Sequence, residues 1–243
     1  MRKMISIKKI KKRFFKRNKK LNDSETYIKF LRKKGCKIGE RTIVFDPKST
    51  LIDLTRPWLI DIGNDVQITR GVTILTHGYD WSVLKKVYGD VLGSAGSVII
   101  GNNVFIGMNS TILKGTTIGN NVIIGAGSVV SNNIPSNVVA AGNPCRVIMT
   151  LDEYYNKRKN AQLEEAKELT IKYIERYKKI PGEEELSEFF WLFSDGDDVN
   201  AGLSNHYISK LKLVGNYKES IKKLKYNKKE YKNLAEFINS LTK

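Results

Sequence analysis

The sequence predicts an all-β core, a parallel β-helix of stacked triangular coils over residues 36–150, with helical extensions at 1–35 and 151–243. Three observations carry it: an aliphatic residue recurs every six positions, glycine follows most of these, and the position four beyond each is small or β-branched. Ile100, Ile106, Ile112, Ile118, Ile124 and Val130 fall six apart without a break, and Ile62, Ile68 and Ile74 form an earlier run of the same pattern. Gly63, Gly101, Gly107, Gly119 and Gly125 follow five of these. Val66, Val72, Val104, Ser110, Thr116, Val122, Ser128 and Ile134 hold the small position. Neither a helix nor a simple strand alternation produces a period of six. Six residues make one short strand and a turn, and three such units close a coil of about eighteen residues with the aliphatics inward. Residues 38–149, less a loop of about twenty, make roughly five coils. The glycines are expected to turn the corners with unusual backbone angles, and the small-residue faces to pack side by side.

Residues 1–20 contain eleven Lys/Arg and no acid, most of the chain's net charge of +17. Met4, Ile7, Ile10 and Phe14 recur at three- or four-residue steps, so a helix here has a narrow apolar stripe in a basic surround. Such an arm either lies on an anionic membrane surface or packs its stripe on a neighbouring subunit. A short helix is expected at Glu25–Lys34, capped by Asp23 or Ser24 and stopped by Gly35.

The hexad period breaks between Ile74 and Ile100, over the stretch 76–97. A long loop inside a compact array is more often functional than idle, and this one begins with His77. Beyond Ile148, Leu151, Tyr155, Leu169, Tyr173 and Tyr177 with interleaved Lys and Glu predict an amphipathic helix over 152–180, ending before Pro181–Gly182. The apolar segment Leu186–Phe193 is expected to pack on the prism or on a neighbouring subunit.

Composition excludes several classes. No run approaches the roughly 18 apolar residues of a membrane span, and the basic N-terminus lacks the apolar region and cleavage site of a signal peptide. Two cysteines, Cys36 and Cys145, make no disulfide framework and read as reduced thiols of a cytoplasmic protein. Residues 36–150 carry only +2, against nucleic-acid binding by the core, and the lysine–tyrosine stretch 210–232 reads as solvated helix.

The stretches Ile62–Gly63–Asn64–Asp65–Val66, Ile74–Leu75–Thr76–His77 and 100–107, with the closing string Val138–Val139–Ala140–Ala141–Gly142–Asn143–Pro144–Cys145–Arg146–Val147–Ile148, together resemble hexapeptide-repeat acyltransferases of the left-handed β-helix superfamily. The likeness is nearest to galactoside, maltose and capsular-polysaccharide O-acetyltransferases and covers about residues 36–150. It implies a left-handed coil and transfer of an acetyl group from acetyl-CoA to a sugar hydroxyl, in a cleft between subunits of a homotrimer. His77 matches the family's catalytic histidine. A sugar hydroxyl needs a base to attack a thioester, and imidazole is suited to that near neutral pH. The main-chain N–H of Met108 matches the oxyanion donor.

On the acetyl-CoA side, Ala126 matches the small residue beside the pantetheine arm and Arg146 a basic residue that meets a phosphate. Ser131 and Asn132 fall on a hydroxyl–lysine pair whose lysine is lost. Another basic position falls on the uncharged Met149, and Lys114 is a candidate substitute. On the acceptor side, Asp53 is the nearest equivalent of an acidic contact, while Asp80 and Trp81 follow His77 as a carboxylate and an aromatic face for a sugar ring. The acceptor is expected to be a sugar or a polysaccharide precursor of the cell envelope. N-acetylation of an amino sugar or drug, or a non-catalytic membrane-associated trimeric scaffold, are the alternatives. A zinc hydratase built on the same prism needs three histidines per metal; this chain has two, His77 and His206, so no metal is expected.

Overall fold

The computed structural model describes residues 22–241, in two compact units that divide between Tyr154 and Tyr155. The basic segment 1–20 and its apolar stripe lie outside the described residues.

The first unit opens with helix α1, Ser24–Lys34. The Asp23 carboxylate accepts the Thr26 N–H at 2.8 Å, satisfying a donor the first turn would otherwise leave free, and Gly35 ends the helix at φ 110°. Its apolar stripe buries Tyr27, Ile28 and Leu31 in the same cluster as the aliphatic core of the coils.

From Lys37 the chain winds through three parallel faces. The first stacks Lys37–Ile38, Ile60–Ile62, Val98–Ile100 and Thr117–Ile118. The second stacks Ile43–Val44, Gln67–Ile68, Val104–Ile106, Val122–Ile124 and Val138–Ala141, with Arg146–Thr150 closing it antiparallel. The third stacks Leu51–Ile52, Thr73–Ile74, Thr111–Ile112 and Val129–Val130. This is a five-coil prism. Ile100 pairs with Ile118, Ile106 with Ile124 and Ile112 with Val130, each eighteen residues on. Ile38 pairs with Ile62 across 24 residues, and Ile62 with Ile100 across 38. The paired aliphatics are buried and form the core.

Two expectations are corrected. The glycines after the aliphatics do not take left-handed angles. They are required by close approach instead: a Cβ on Gly63 would lie 2.5 Å from the Gly101 carbonyl oxygen, and one on Gly101 2.7 Å from that of Gly119. The left-handed corners fall mostly to Asp65, Asn103, Asn109, Asn121 and Asn137, with φ of 54–61°, residues whose short polar side chains tolerate that region. Their neighbours form a ladder in which Asn102 Oδ1 accepts the Asn64 N–H at 2.8 Å and Asn120 Oδ1 the Asn102 N–H at 2.7 Å. The small residues do not form outer faces either. Val66, Val72, Val104, Ser110, Thr116, Val122 and Ser128 are buried inside the coils. There Ser110 Oγ donates to the Gly125 carbonyl at 3.0 Å and Thr116 Oγ1 to that of Leu113 at 2.7 Å, so the hydroxyls satisfy turn carbonyls. The outward positions include larger apolar side chains, Leu51, Ile99 and Phe105 among them.

The stretch 76–97 is not irregular throughout. His77–Gly78 and Ser94–Ala95 pair antiparallel at its base, and helix α2, Trp81–Tyr88, lies between them. Cys36 and Cys145 are buried free thiols; burial, with the Asp53 charge adding to it, pushes Cys36 up to about 11.

The second unit contains most of α3, Leu151–Tyr177, then α4, Gly196–Ala201, α5, Asn205–Leu211, α6, Tyr217–Lys225, and α7, Leu234–Asn239. Leu186, Phe190, Leu192 and Phe193 build a core of this unit's own, packing with Ala166, Tyr207, Leu211, Leu224 and Phe237. Phe190 and Tyr207 stack with centroids 4.7 Å apart.

Candidate active site

His77 lies just past the third face of the second coil, where the chain leaves Thr73–Ile74 for its protruding loop. Asp53 lies at the same corner one coil earlier, directly after Leu51–Ile52 and level with Leu75, and its N–H donates to the Ile74 carbonyl at 3.0 Å. The two side chains meet: His77 Nδ1 stands 2.6 Å from Asp53 Oδ2. Asp53 is 6% exposed, and its oxygens are occupied by neighbours. Thr76 donates its N–H and its hydroxyl to Oδ2, at 3.1 and 2.5 Å, while Thr55 donates its N–H and hydroxyl to Oδ1, at 2.9 and 2.7 Å. Burial alone would raise this carboxyl, but the bonds from Thr76, Thr55 and His77 outweigh it and hold Asp53 well below the usual carboxylate range. Asp53, the candidate acidic contact for the acceptor, is enclosed beside the histidine, with Thr55 of the insert bonded to it. With Nδ1 facing a fixed anion, the tautomer places the proton there and leaves Nε2 the basic nitrogen.

Asp80 is exposed, precedes α2 and makes no hydrogen bond to His77 among the described residues. Trp81 is half-buried, with its ring 5.3 Å from that of Tyr79, which in turn meets His77 edge-on at 6.0 Å. Sequence reasoning missed Tyr79, Thr55 and Thr76. A signal was present for Tyr79: it is an aromatic residue two positions past His77 in the same loop.

Met108, Ala126 and Arg146 gather along a different edge. Met108 occupies the turn from the second face to the third, and among the described residues its N–H makes no hydrogen bond while its carbonyl accepts from Gly127 at 2.7 Å. Ala126 is exposed at the same corner one coil on. Arg146 pairs with Ala141, whose Cβ sits 2.7 Å from where a Gly125 Cβ would be, so it caps this edge. Ser131 and Asn132 are exposed in the turn after Val129–Val130, leading from the third face to the first. That is the corner of His77 and of the exposed Lys114, in successive coils. Met149 lies half-buried in the closing strand. A single prism therefore carries these candidate residues on two different edges. Among the described residues no cluster of three His, Cys, Asp or Glu is arranged to hold a metal.

A family model for bacterial transferase hexapeptides, six repeats, matches residues 97–132. Protein CapG of Staphylococcus aureus is 43% identical over 148 residues, 60% of this chain and 82% of that protein. This chain belongs to the hexapeptide-repeat acyltransferases. Its coil is accordingly the left-handed one of that family, with helical extensions before and after the coils in the sequence. The galactoside O-acetyltransferase of Escherichia coli (strain K12) is 40% identical over 112 residues, 44% of this chain and 53% of that one. A solved galactoside acetyltransferase in complex with coenzyme A aligns over 52% of this acyltransferase and 70% of its own chain, at 30% identity and a TM-score of 0.40.

Proposed function

We propose that this acyltransferase moves an acetyl group from acetyl-CoA to a sugar hydroxyl, the acceptor being a sugar or a polysaccharide precursor. The observation that carries the reading is the Asp53–His77 pair at 2.6 Å, which presents one basic imidazole nitrogen beside the exposed ring of Tyr79 and the half-buried ring of Trp81. His77 Nε2 takes the hydroxyl proton as the oxygen attacks the thioester carbonyl, and Asp53 holds the ring and offsets the imidazolium charge. The Met108 N–H, free of other partners, donates to the developing oxyanion. His77 then returns the proton to the departing thiolate.

The edge of Met108, Ala126 and Arg146 suits acetyl-CoA: Ala126 leaves room for a narrow arm, and Arg146 offers a cation for phosphate. Ser131, Asn132 and Lys114 supply hydroxyl, amide and a further cation on the facing edge. Because His77 and Met108 lie on different edges of one prism, the reading requires side-by-side prisms, and a homotrimer closes three such sites. Among the described residues no helix is long and apolar enough to cross a membrane. The proposed setting is the cytoplasm, with residues 1–20 meeting the anionic inner face of the membrane. Labelled acetyl-CoA offered with simple glycosides, amino sugars and acidic polysaccharide repeat units tests the reading. Label on a hydroxyl, lost in His77→Ala, is the expected result; label on an amine only would assign N-acetylation, and none on any acceptor would leave a scaffold.

A further inference from the structure

The second unit contains a groove of about 1010 Å³ that the acetyl-transfer reading does not use. Two helices line it with the same spacing. On α3 the residues facing it are Tyr155, Arg158, Lys159 and Gln162; on α6 and its C-cap they are Glu219, Lys222, Lys223 and Tyr226. Both sets run i, i+3, i+4, i+7, the stripe by which a helix ordinarily packs on a neighbour through apolar side chains. Here each stripe reads aromatic, cation, cation and polar, in opposite order along the two helices. The floor is Phe189 and Trp191, both half-buried, and the Asn227 amide fixes it by donating to the carbonyls of Trp191 and Ser194 at 2.7 and 2.8 Å.

The charge is one-sided. Arg158 is engaged with Glu165 at 2.6 Å, and Glu188 with Lys210 at 3.2 Å. Lys223 lies over the Tyr155 ring at 5.4 Å. Lys159, Lys222 and Lys228 are exposed and form no ion pair among the described residues. Lysines bind as mobile point charges, suited to spaced carboxylates rather than to the bidentate grip that arginine gives phosphate. Glu219, also without an ion pair there, and Gln162 accept hydrogen bonds from hydroxyls, which a saccharide carries on every ring. Tyr155, Trp191 and Tyr226 offer flat faces to ring C–H groups.

We infer that this groove binds an acidic saccharide chain, its carboxylates on Lys159, Lys222 and Lys228 and its rings on the aromatic floor and walls. The site belongs to the second unit alone and stands apart from the acetyl-transfer reading.

Isothermal titration of the full-length chain, without acetyl-CoA, tests it with three probes: oligogalacturonate, its methyl-esterified neutral form, and an oligothymidylate of equal charge. Oligogalacturonate should bind, the methyl ester should not, and oligothymidylate should bind more weakly. Lys222→Glu/Lys228→Glu should raise the Kd about tenfold or more, and Tyr226→Ala should raise it without changing charge. Lys212→Glu/Lys218→Glu makes the same charge change off the groove, with the basic N-terminus still present, and should leave the Kd near that of wild type; circular dichroism checks that all variants fold. His77→Ala should bind as wild type, which separates failure here from failure of the catalytic proposal. Absent binding, an equal effect of the two double reversals, or an oligothymidylate bound as tightly and lost in the same variants would overturn the assignment.

Discussion

Asp53 Oδ2 and His77 Nδ1 stand 2.6 Å apart although they belong to successive coils, so a backbone stacking contact sets the geometry of a candidate catalytic pair. The pairing of Leu51–Ile52 with Thr73–Ile74 fixes both strand ends before either side chain is placed.

Replacing His77 by Ala is expected to lower turnover about 10²–10⁴-fold, the range for loss of a general base, while the Kd for CoA stays unchanged. Single-turnover kinetics with labelled acetyl-CoA and a CoA titration read the two quantities.

Asp53→Asn should also lower turnover, about 10²-fold, by freeing the imidazole to adopt the other tautomer. It should lower stability at neutral pH. The sign follows from the depressed carboxyl: its contribution is present above the ordinary carboxylate range of about 4 and is lost as pH falls toward the lower folded value. The gap in urea midpoint between wild type and Asp53→Asn should therefore narrow below about pH 4. A gap that widens on acidification would refute this account.

Gly101→Ala should destabilise by about 1–3 kcal/mol or more, since its Cβ meets the Gly119 carbonyl oxygen at 2.7 Å and backbone must move. Gly93→Ala, with nothing within 4 Å, is the matched control and should be near neutral. Urea unfolding of both variants decides it.

If each site joins the His77 edge of one prism to the Met108 edge of another, two defective chains should complement. Co-refolding His77→Ala with Ala126→Tyr in equal amounts should restore about a quarter of wild-type activity, the statistical share of sites with both edges intact. Activity that stays at the level of the separate variants would indicate that each chain builds its own site.

Deleting residues 1–20 should abolish sedimentation with anionic vesicles at low salt, where each lost cation is worth about 1 kcal/mol at most. Acetyl transfer to a soluble sugar should persist. Unchanged sedimentation would dismiss the membrane reading, and lost activity would point to an arm packed into the assembly.

The prism was legible because its signal is redundant: a single hexad means little, but nine phased aliphatics leave few other folds. His77 was legible through its place at the break in the period, and the α1 boundaries through Asp23 and Gly35. The partner of His77 was not. Asp53 and His77 are 24 residues apart with the insert between them, and only the folded coils reveal that Thr55 and Thr76 close around the carboxylate. The corner glycines misled because a glycine wanted for close approach and one wanted for φ look alike in a sequence. The second unit's core was hidden by short helices and 3₁₀ turns, which have too few repeats to display a period.

The excursion between Ile62 and Ile100 has a thermodynamic consequence. Pairing across 38 residues rather than 18 roughly doubles the chain to be closed, and loop entropy grows only with the logarithm of length, so the penalty is about 0.6 kcal/mol. One buried aliphatic more than offsets that. A stack of coils can therefore host an excursion at a corner, and alter its length, while the aliphatic register on either side stays in step, which leaves the surface around His77 free to diverge without drawing on the core.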